Sequence, residues 1–283
     1  MIGQEKLIAE LDSKINAKGV KVLPRFSIIL GTRGAGHEEL AKYIASKFDD
    51  ADYIQLQDVK IDSIRTMITQ AYSLHRPTIF CIPHADDMSI NAKNAMLKVV
   101  EEVPNKAYFI MCLEDLSNTL ATIESRAQTL RMSTPTPDEV EKFARSLYES
   151  KPDEAEIDMI GKVCVSEGEV RMMQKYGAKN FYAYAKYVVD NVTKVSGAEV
   201  FKLSDKLALK DEEDKYDIKL FLRTLQMILV DDIKADSASE YTKVRLLVSL
   251  TISQYMSDLK IKGINKAMLM DNLLLQIRKI WKE

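Results

Sequence analysis

The residues whose types and spacing could do chemistry lie between positions 31 and 38. Gly31, Gly34 and Gly36 follow the apolar run FSIIL (26–30) and precede the helix-like EELAKYIASKF (38–48). Gly31 to Gly36 has the G-x-x-x-x-G spacing of a phosphate-binding loop. Such a loop turns backbone N–H groups inward at a helix N-terminus, sets a Lys on the β- and γ-phosphates and places a hydroxyl on Mg²⁺. The glycines keep the backbone half of that device. The Lys position holds His37, mostly neutral at pH 7. The hydroxyl position holds Glu38, whose carboxylate would face the phosphates. At about 4 Å and an effective dielectric near 20, each unit charge pair is worth about 4 kcal/mol. One attraction lost and one repulsion gained therefore remove several decades of affinity, at about 1.4 kcal/mol per decade.

Glu38 could hold a metal only beside a second acidic ligand. The place for one is the end of the strand-like TIFCI (78–82), where phosphate chemistry wants an Asp for Mg²⁺ and a neighbouring acid to orient water. Pro83 and His84 stand there, and Asp86 and Asp87 come three positions late. Four parts of one mechanism are missing together, so neither hydrolysis nor a bound nucleotide or metal is expected. Taken alone, the glycines fit equally well a tight strand-to-helix turn that never held phosphate. His37, His75 and His84 form no metal-ligand pattern and read as surface or turn residues.

Elements that would position this loop alternate over the first ~130 residues. A helix is expected over 3–17, with Leu7, Leu11 and Ile15 one turn apart. Strands are expected over 26–30, 52–56, 78–82 and 108–113. Helices fill the intervals, one capped by Asp62 and one by Ser89 and stopped by Pro104. Short apolar strands alternating with helices predict a parallel, doubly wound α/β sheet. After Arg131 no strand is expected. A T-x-x-E capping box, Thr136 to Glu139 with Pro137 at the first helical position, opens a helical region with an acidic loop near KPDEAEID. Residues beyond about 198 read as long amphipathic helices. The expected layout is an α/β domain (1–132), a small helical domain (133–194) and a helical bundle (195–283).

Composition narrows the function classes. The chain has 283 residues, 46% hydrophobic and 29% charged, with formal net charge -2. A near-neutral chain lacks the excess of cations that phosphate contacts need, which argues against strong DNA affinity by this chain alone. No basic helix with interleaved aromatics marks a DNA-binding module. Cys81, Cys112 and Cys164 are isolated in apolar sequence without a CxxC, as for buried thiols in a reducing cytoplasm. No apolar run approaches the length of a membrane span, and the N-terminus reads as the start of a folded helix rather than a signal peptide.

Several stretches, in order, resemble the bacterial clamp-loader proteins of the AAA+ class, the DNA polymerase III gamma/tau and delta-prime subunits. IGQEKLIAEL is similar to the family's IGQ-type opening, and GTRGAGHEELAKYIA to its glycine loop and helix. VKIDSIRTMI resembles its I-x-I-D-x-I-R segment. PHADDMSINAKNAMLKVVEEVPNKAYFIMCLED resembles its DEAD-like strand end, its N-A-L-L-K-x-L-E-E-P-P helix and its first-sensor strand. LATIESRAQTLRM is similar to L-x-T-I-x-S-R-C. Asn94, Ala95, Leu97, Lys98, Glu101, Glu102 and Pro104 match in one gapless run. The likeness covers about residues 1–175 well and the remainder by helical pattern alone.

The resemblance implies an AAA+ α/β domain followed by two all-α domains. In this family gamma/tau hydrolyses ATP, whereas delta-prime commonly has a disabled phosphate loop and keeps the S-R-C arginine. Ser125-Arg126-Ala127 with a disabled loop therefore points to a delta-prime-like stator. Arg126, with Ser125 beside it, would be offered in trans to ATP on a neighbouring subunit; a local ion pair with Glu124 or Glu114 is the plainer alternative. Arg171 falls at the second-sensor position, as a remnant or an ordinary surface residue. The family's cysteine zinc module is absent, with no Cys in 41–60. The implied partners are a gamma/tau-like ATPase subunit and a delta-like subunit in a heteropentamer, the sliding clamp, and primer-template DNA through the complex. ATP and Mg²⁺ would sit on the neighbours. The C-terminal helices would form an oligomer collar or simply pack into their own core. The competing function is an ATP-binding AAA+ subunit with an unconventional site built on Glu38 and a displaced acid.

Overall fold

The computed structural model describes residues 1–18, 23–149, 151–204, 207–208, 216–259 and 265–282. The chain divides into two compact units, Met1–Phe143 with Val165–Gly168, and Ala144–Cys164 with Glu169–Glu283.

In the first unit, chain order runs α1 (Glu5–Lys18), β1 (Phe26–Leu30), α2 (His37–Ser46), β2 (Asp52–Gln55), α3 (Ile61–Tyr72), β3 (Thr78–Ile82), α4 (Ile90–Glu101), β4 (Ala107–Leu113), α5 (Ala121–Glu124) and β5 (Gln128–Arg131). The five strands form one sheet in the order β2-β3-β4-β1-β5, and every pairing is parallel. β3 and β4 are buried along their whole length. Continuous apolar runs such as TIFCI and AYFIMCL are what strands covered on both faces require.

Alternation along each strand sorts its side chains into two cores. Ile28, Phe80, Ile82, Phe109, Met111 and Leu113 meet Ile64, Met67, Met96 and Val99 of α3 and α4 on one face. Ile29, Ile79, Cys81, Ile110 and Cys112 meet Leu11 and Ile15 of α1 and Leu40, Ala41 and Ile44 of α2 on the other. Phe80 and Phe109 stack with ring centroids 5.3 Å apart. Ser89 caps α4 as expected, its Oγ accepting from the Ala92 N–H at 3.2 Å. Asp62 does not cap α3. It lies inside the first turn, and Asp58 instead binds the start of that helix, accepting from the Lys60 N–H (3.0 Å) and the Ser63 hydroxyl (2.6 Å).

The helix α6 (Pro137–Ser146) opens with the expected box: Glu139 accepts from the Thr136 N–H at 2.7 Å, and Thr136 Oγ1 accepts in return from the Glu139 N–H at 3.4 Å. The second unit is built mainly from α7 (Glu154–Val163), α8 (Glu167–Tyr176), α9 (Ala178–Asn191), α10 (Ile218–Ala235), α11 (Thr242–Asp258) and α12 (Lys266–Lys282). The acidic KPDEAEID stretch is the start of α7 rather than a loop, with Asp153 capping by accepting from the Ala155 N–H at 2.9 Å. Phe181, Tyr184, Tyr216 and Phe221 form a ring cluster between α9 and α10. The expectation of no strand after Arg131 is corrected by a two-residue parallel pairing, β6 (Leu207–Ala208) with β7 (Tyr216–Asp217). It is too short to carry a strand period. Of the terminal INKAMLMDNLLLQIRKIW, Ile264 lies outside the described residues.

Candidate functional site

In a parallel sheet every strand enters its following connection at the same edge, which gathers the loops after β1, β3 and β4. Gly31 to Gly36 leave β1 there and enter α2, with the Ala35 N–H donating to Thr32 O at 3.0 Å. Gly34 (φ 78) and Gly36 (φ 97) occupy the left-handed region that favours glycine.

The loop is packed by its own unit. A Cβ added at Gly36 would lie 2.9 Å from Met1 Cγ, and one at Gly34 would lie 3.0 Å from Ser166 Oγ and 3.2 Å from Gly168 Cα. The Gly168 N–H donates to Gly34 O at 3.2 Å. Glu167 between them accepts from the Ile2 N–H at 2.8 Å, which ties the opening residues to the start of α8. A Cβ at Gly31 would meet Met132 Cβ at 2.9 Å. Ser166, Glu167, Gly168 and Met132 were not among the residues singled out from the sequence. Their approach to the loop depends on contacts across more than a hundred residues.

His37, expected as a surface or turn residue, stands where the glycine turn enters α2. It is half-buried, its Nε2 3.1 Å from Gly31 O. Burial holds its imidazole below the usual histidine range, opposed by the carbonyls of Gly31 and Leu113. Glu38 Oε2 accepts from Gln55 Nε2 at 2.5 Å, and its Oε1 lies 3.8 Å from His84 Nε2. His84, after β3, has φ 48. Asp86 lies in a single 3-10 turn (Ala85–Asp87). Its carboxylate accepts from the backbone N–H groups of Glu114 (2.7 Å) and Asp115 (3.2 Å) and from Asn118 Nδ2 (3.0 Å). Among the described residues no group of three or more His, Cys, Asp or Glu is arranged to hold a metal ion.

Ser125 and Arg126 follow α5. Ser125 Oγ donates to Thr122 O at 3.2 Å. Arg126 Nη1 donates to the same carbonyl at 3.2 Å, and its Nη2 lies 3.9 Å from Glu101 Oε1 at the end of α4. The acidic neighbour is therefore Glu101, not Glu124 or Glu114. Glu114 instead lies 3.9 Å from Arg33 Nη1. Arg126 and Glu101 are 45% and 60% exposed, and an ion pair so placed is worth at most about 1 kcal/mol. Arg171 lies on α8 in the second unit and is exposed.

The five-stranded parallel sheet, the glycine turn into α2 and the helical segments that follow define an AAA+ fold. The Holliday-junction branch-migration motor RuvB of Thermotoga maritima superposes with a TM-score of 0.52 at 16% identity, covering 97% of this chain and 88% of that one; this likeness speaks for the fold alone. Residues 45–136 match the family model described as DNA polymerase III, delta subunit. A Yersinia pestis DNA polymerase III subunit delta' is 32% identical over 24% of this chain and 21% of its own length. Human replication factor C subunit 5 is 24% identical over 64% of this chain and 54% of its own length. The chain thus spans between about a fifth and about half of these curated relatives. Over the matched stretch, residues 45–136, this chain is thus similar to clamp-loader proteins, on a fold of the AAA+ kind. No helix among the described residues is long and apolar enough to cross a membrane.

Proposed function

We propose that this chain is a non-hydrolysing, delta-prime-like subunit of a DNA polymerase III clamp loader, working in the cytoplasm as a stator and lending Arg126 to ATP held by a neighbouring subunit. One observation carries the reading: Arg126 is exposed and held only by weak local contacts, while the chain's own glycine loop is packed against Met1, Met132, Ser166 and Gly168. The residues at the loop do not fit a magnesium–triphosphate. His37 is a neutral ring bonded to Gly31 O, Glu38 brings a like charge, and Pro83 and His84 stand where metal and water ligands are needed. In this reading the chain hydrolyses no nucleotide of its own. An arginine in trans stabilises charge on the transferring phosphoryl group and is worth roughly 10³–10⁵ in rate in well-studied systems.

The partners in this reading are a gamma/tau-like ATPase subunit, a delta-like subunit, the sliding clamp and primer-template DNA. The three-part division at 132 and 194 remains part of the proposal, with the last part as an assembly collar. In support of a packing role, α11 buries Val248 and Ile252 yet leaves Leu246, Leu247 and Leu250 half to two-thirds exposed (50%, 54% and 67%).

The test is reconstitution with the candidate ATPase and clamp subunits, followed by DNA-dependent ATP turnover with wild type and Arg126→Ala. Wild type should stimulate turnover and R126A should assemble without stimulating. Equal stimulation by both would overturn the arginine's role. Micromolar binding of labelled ATP with Mg²⁺ by the isolated chain would favour a subunit with its own unconventional nucleotide site.

A further inference from the structure

The carboxylate of Asp86 is engaged by three donors of one segment, the chain from Glu114 to Asn118 that leaves β4. It accepts from two successive backbone N–H groups, Glu114 at 2.7 Å and Asp115 at 3.2 Å, and from Asn118 Nδ2 at 3.0 Å. The same segment is gripped from α4, where the buried Lys93 donates its Nζ to Asn118 O. Asp115 closes the segment on itself by accepting from the Ser117 N–H at 2.9 Å. From Asn118 the chain reaches Arg126 in eight steps. Thr119 N–H donates to Leu116 O at 3.0 Å, Ile123 N–H to Leu120 O at 2.9 Å and Arg126 N–H to Ile123 O at 3.2 Å. Ile123 is fully buried in the core beneath, and Leu116, Leu120 and Ala127 pack against that core. Arg126 itself is exposed, so no burial of its own side chain fixes where it points.

We infer that Asp86, assisted by Lys93, is a positioning residue for Arg126: by holding the Glu114–Asn118 segment in place it sets the start of α5 and hence where the guanidinium is offered. The inference rests on the proposed role of Arg126 and extends it to a residue that touches no nucleotide. It also gives a use to the acid that comes too late after β3 for a metal. A carboxylate with two oxygens can serve three donors at once, and an alanine would leave two backbone N–H groups in a half-buried loop without their acceptor. A loop so released shifts, and a shift on the order of 1 Å in a group that must meet a transferring phosphoryl costs about 10²-fold in rate.

The test uses the full chain in the reconstituted complex, with DNA-dependent ATP turnover measured for wild type, Asp86→Ala, Asp86→Asn, Lys93→Met, Arg126→Ala and the D86A/R126A double variant. D86A is expected to lower turnover about 10²-fold at saturating ATP with unchanged KM, because the nucleotide is bound elsewhere. D86N keeps an acceptor oxygen and should recover part of the loss, and K93M should fall short of D86A. The double variant should be no slower than R126A alone, since Asp86 acts only through the arginine. A merely structural role would show instead as losses that add in the double variant, or as failed assembly of D86A. Hydrogen exchange on the isolated chain reads the same point independently. D86A should speed exchange of amides in 114–126 and leave those of β3 unchanged; uniform acceleration across the unit, or none, overturns the inference. Should R126A leave turnover at the wild-type level, the reading of the arginine falls and this inference falls with it. Should R126A abolish stimulation while D86A retains it, only the positioning role is lost.

Discussion

At the scale of single residues, the histidine in the loop behaves as a half-buried ring held toward its neutral form rather than as a weakened lysine. Its ordinary value is near 6.5, and burial lowers it. A base whose folded value is depressed contributes stability above its unfolded value and loses it as pH falls through that value toward the folded one. The chain should therefore lose stability between neutral pH and mildly acidic pH, and His37→Gln should lessen that loss. Denaturant titrations at a series of pH values check this, and the ring's NMR titration should give a midpoint below that of a free histidine. A second expectation follows from the packing around the loop. His37→Lys combined with Glu38→Thr restores the cation and the hydroxyl but leaves Met1 and Gly168 against the glycines and Pro83 and His84 in place. Isothermal calorimetry with Mg–ATP should detect no tight binding by this double variant. Its absent lysine was plain in the sequence, but the crowding was not, because Ser166 and Gly168 reach the loop only through the folded chain.

Among elements, α4 and the loop before α2 respond to different physics. α4 depends locally on the Ser89 cap, whose oxygen satisfies an amide that no helix carbonyl can reach. Ser89→Ala should cost about 1 kcal/mol, read as a lowered denaturation midpoint at unchanged denaturant dependence. The loop depends on backbone conformation. Gly34→Ala must hold a side chain at φ 78 and bring its Cβ to 3.0 Å from Ser166 Oγ and 3.2 Å from Gly168 Cα. The expected cost is on the order of 1–3 kcal/mol, with unfolding accelerated. Strand and helix periods in the first unit were legible because each element buries one stripe or one pair of faces. The Thr136–Glu139 box was legible because capping is local in sequence. Asp62 was misread as a cap because the Asp58 carboxylate competes for the same helix start, a choice that spacing alone leaves open. The β6–β7 pairing left no period to find.

Across the molecule, the chain divides into two compact units, each with buried side chains of its own. Phe109 is fully buried in the first, between Phe26 and Phe80. Phe109→Ala should cost about 3–5 kcal/mol by removing buried area and leaving a cavity. Hydrogen exchange should place that loss in the strands of the first unit and spare α10 and α12. The exposed leucines of α11 make the converse case. Leu247→Ser with Leu250→Ser should change the stability of the isolated chain by no more than about 0.5 kcal/mol, as surface substitutions do. In the proposed assembly the same change should weaken co-purification with the candidate partner subunits.

The residue types alone determined the alternation of strand and helix, the parallel sheet, the absence of a lysine and a hydroxyl from the glycine loop and of an acid directly after β3, and the clamp-loader likeness of residues 45–136. Each of these is written in local spacing or in which groups are chemically present. Only the tertiary structure decided that Met1, Met132, Ser166 and Gly168 close on the glycines, that Glu101 is the acid beside Arg126, and that Asp86 serves the Glu114–Asn118 segment. Those pairings join residues far apart in the chain. Many acids and amides in this sequence could satisfy one another, and only packing of the sheet between its two layers brings particular ones within hydrogen-bonding distance.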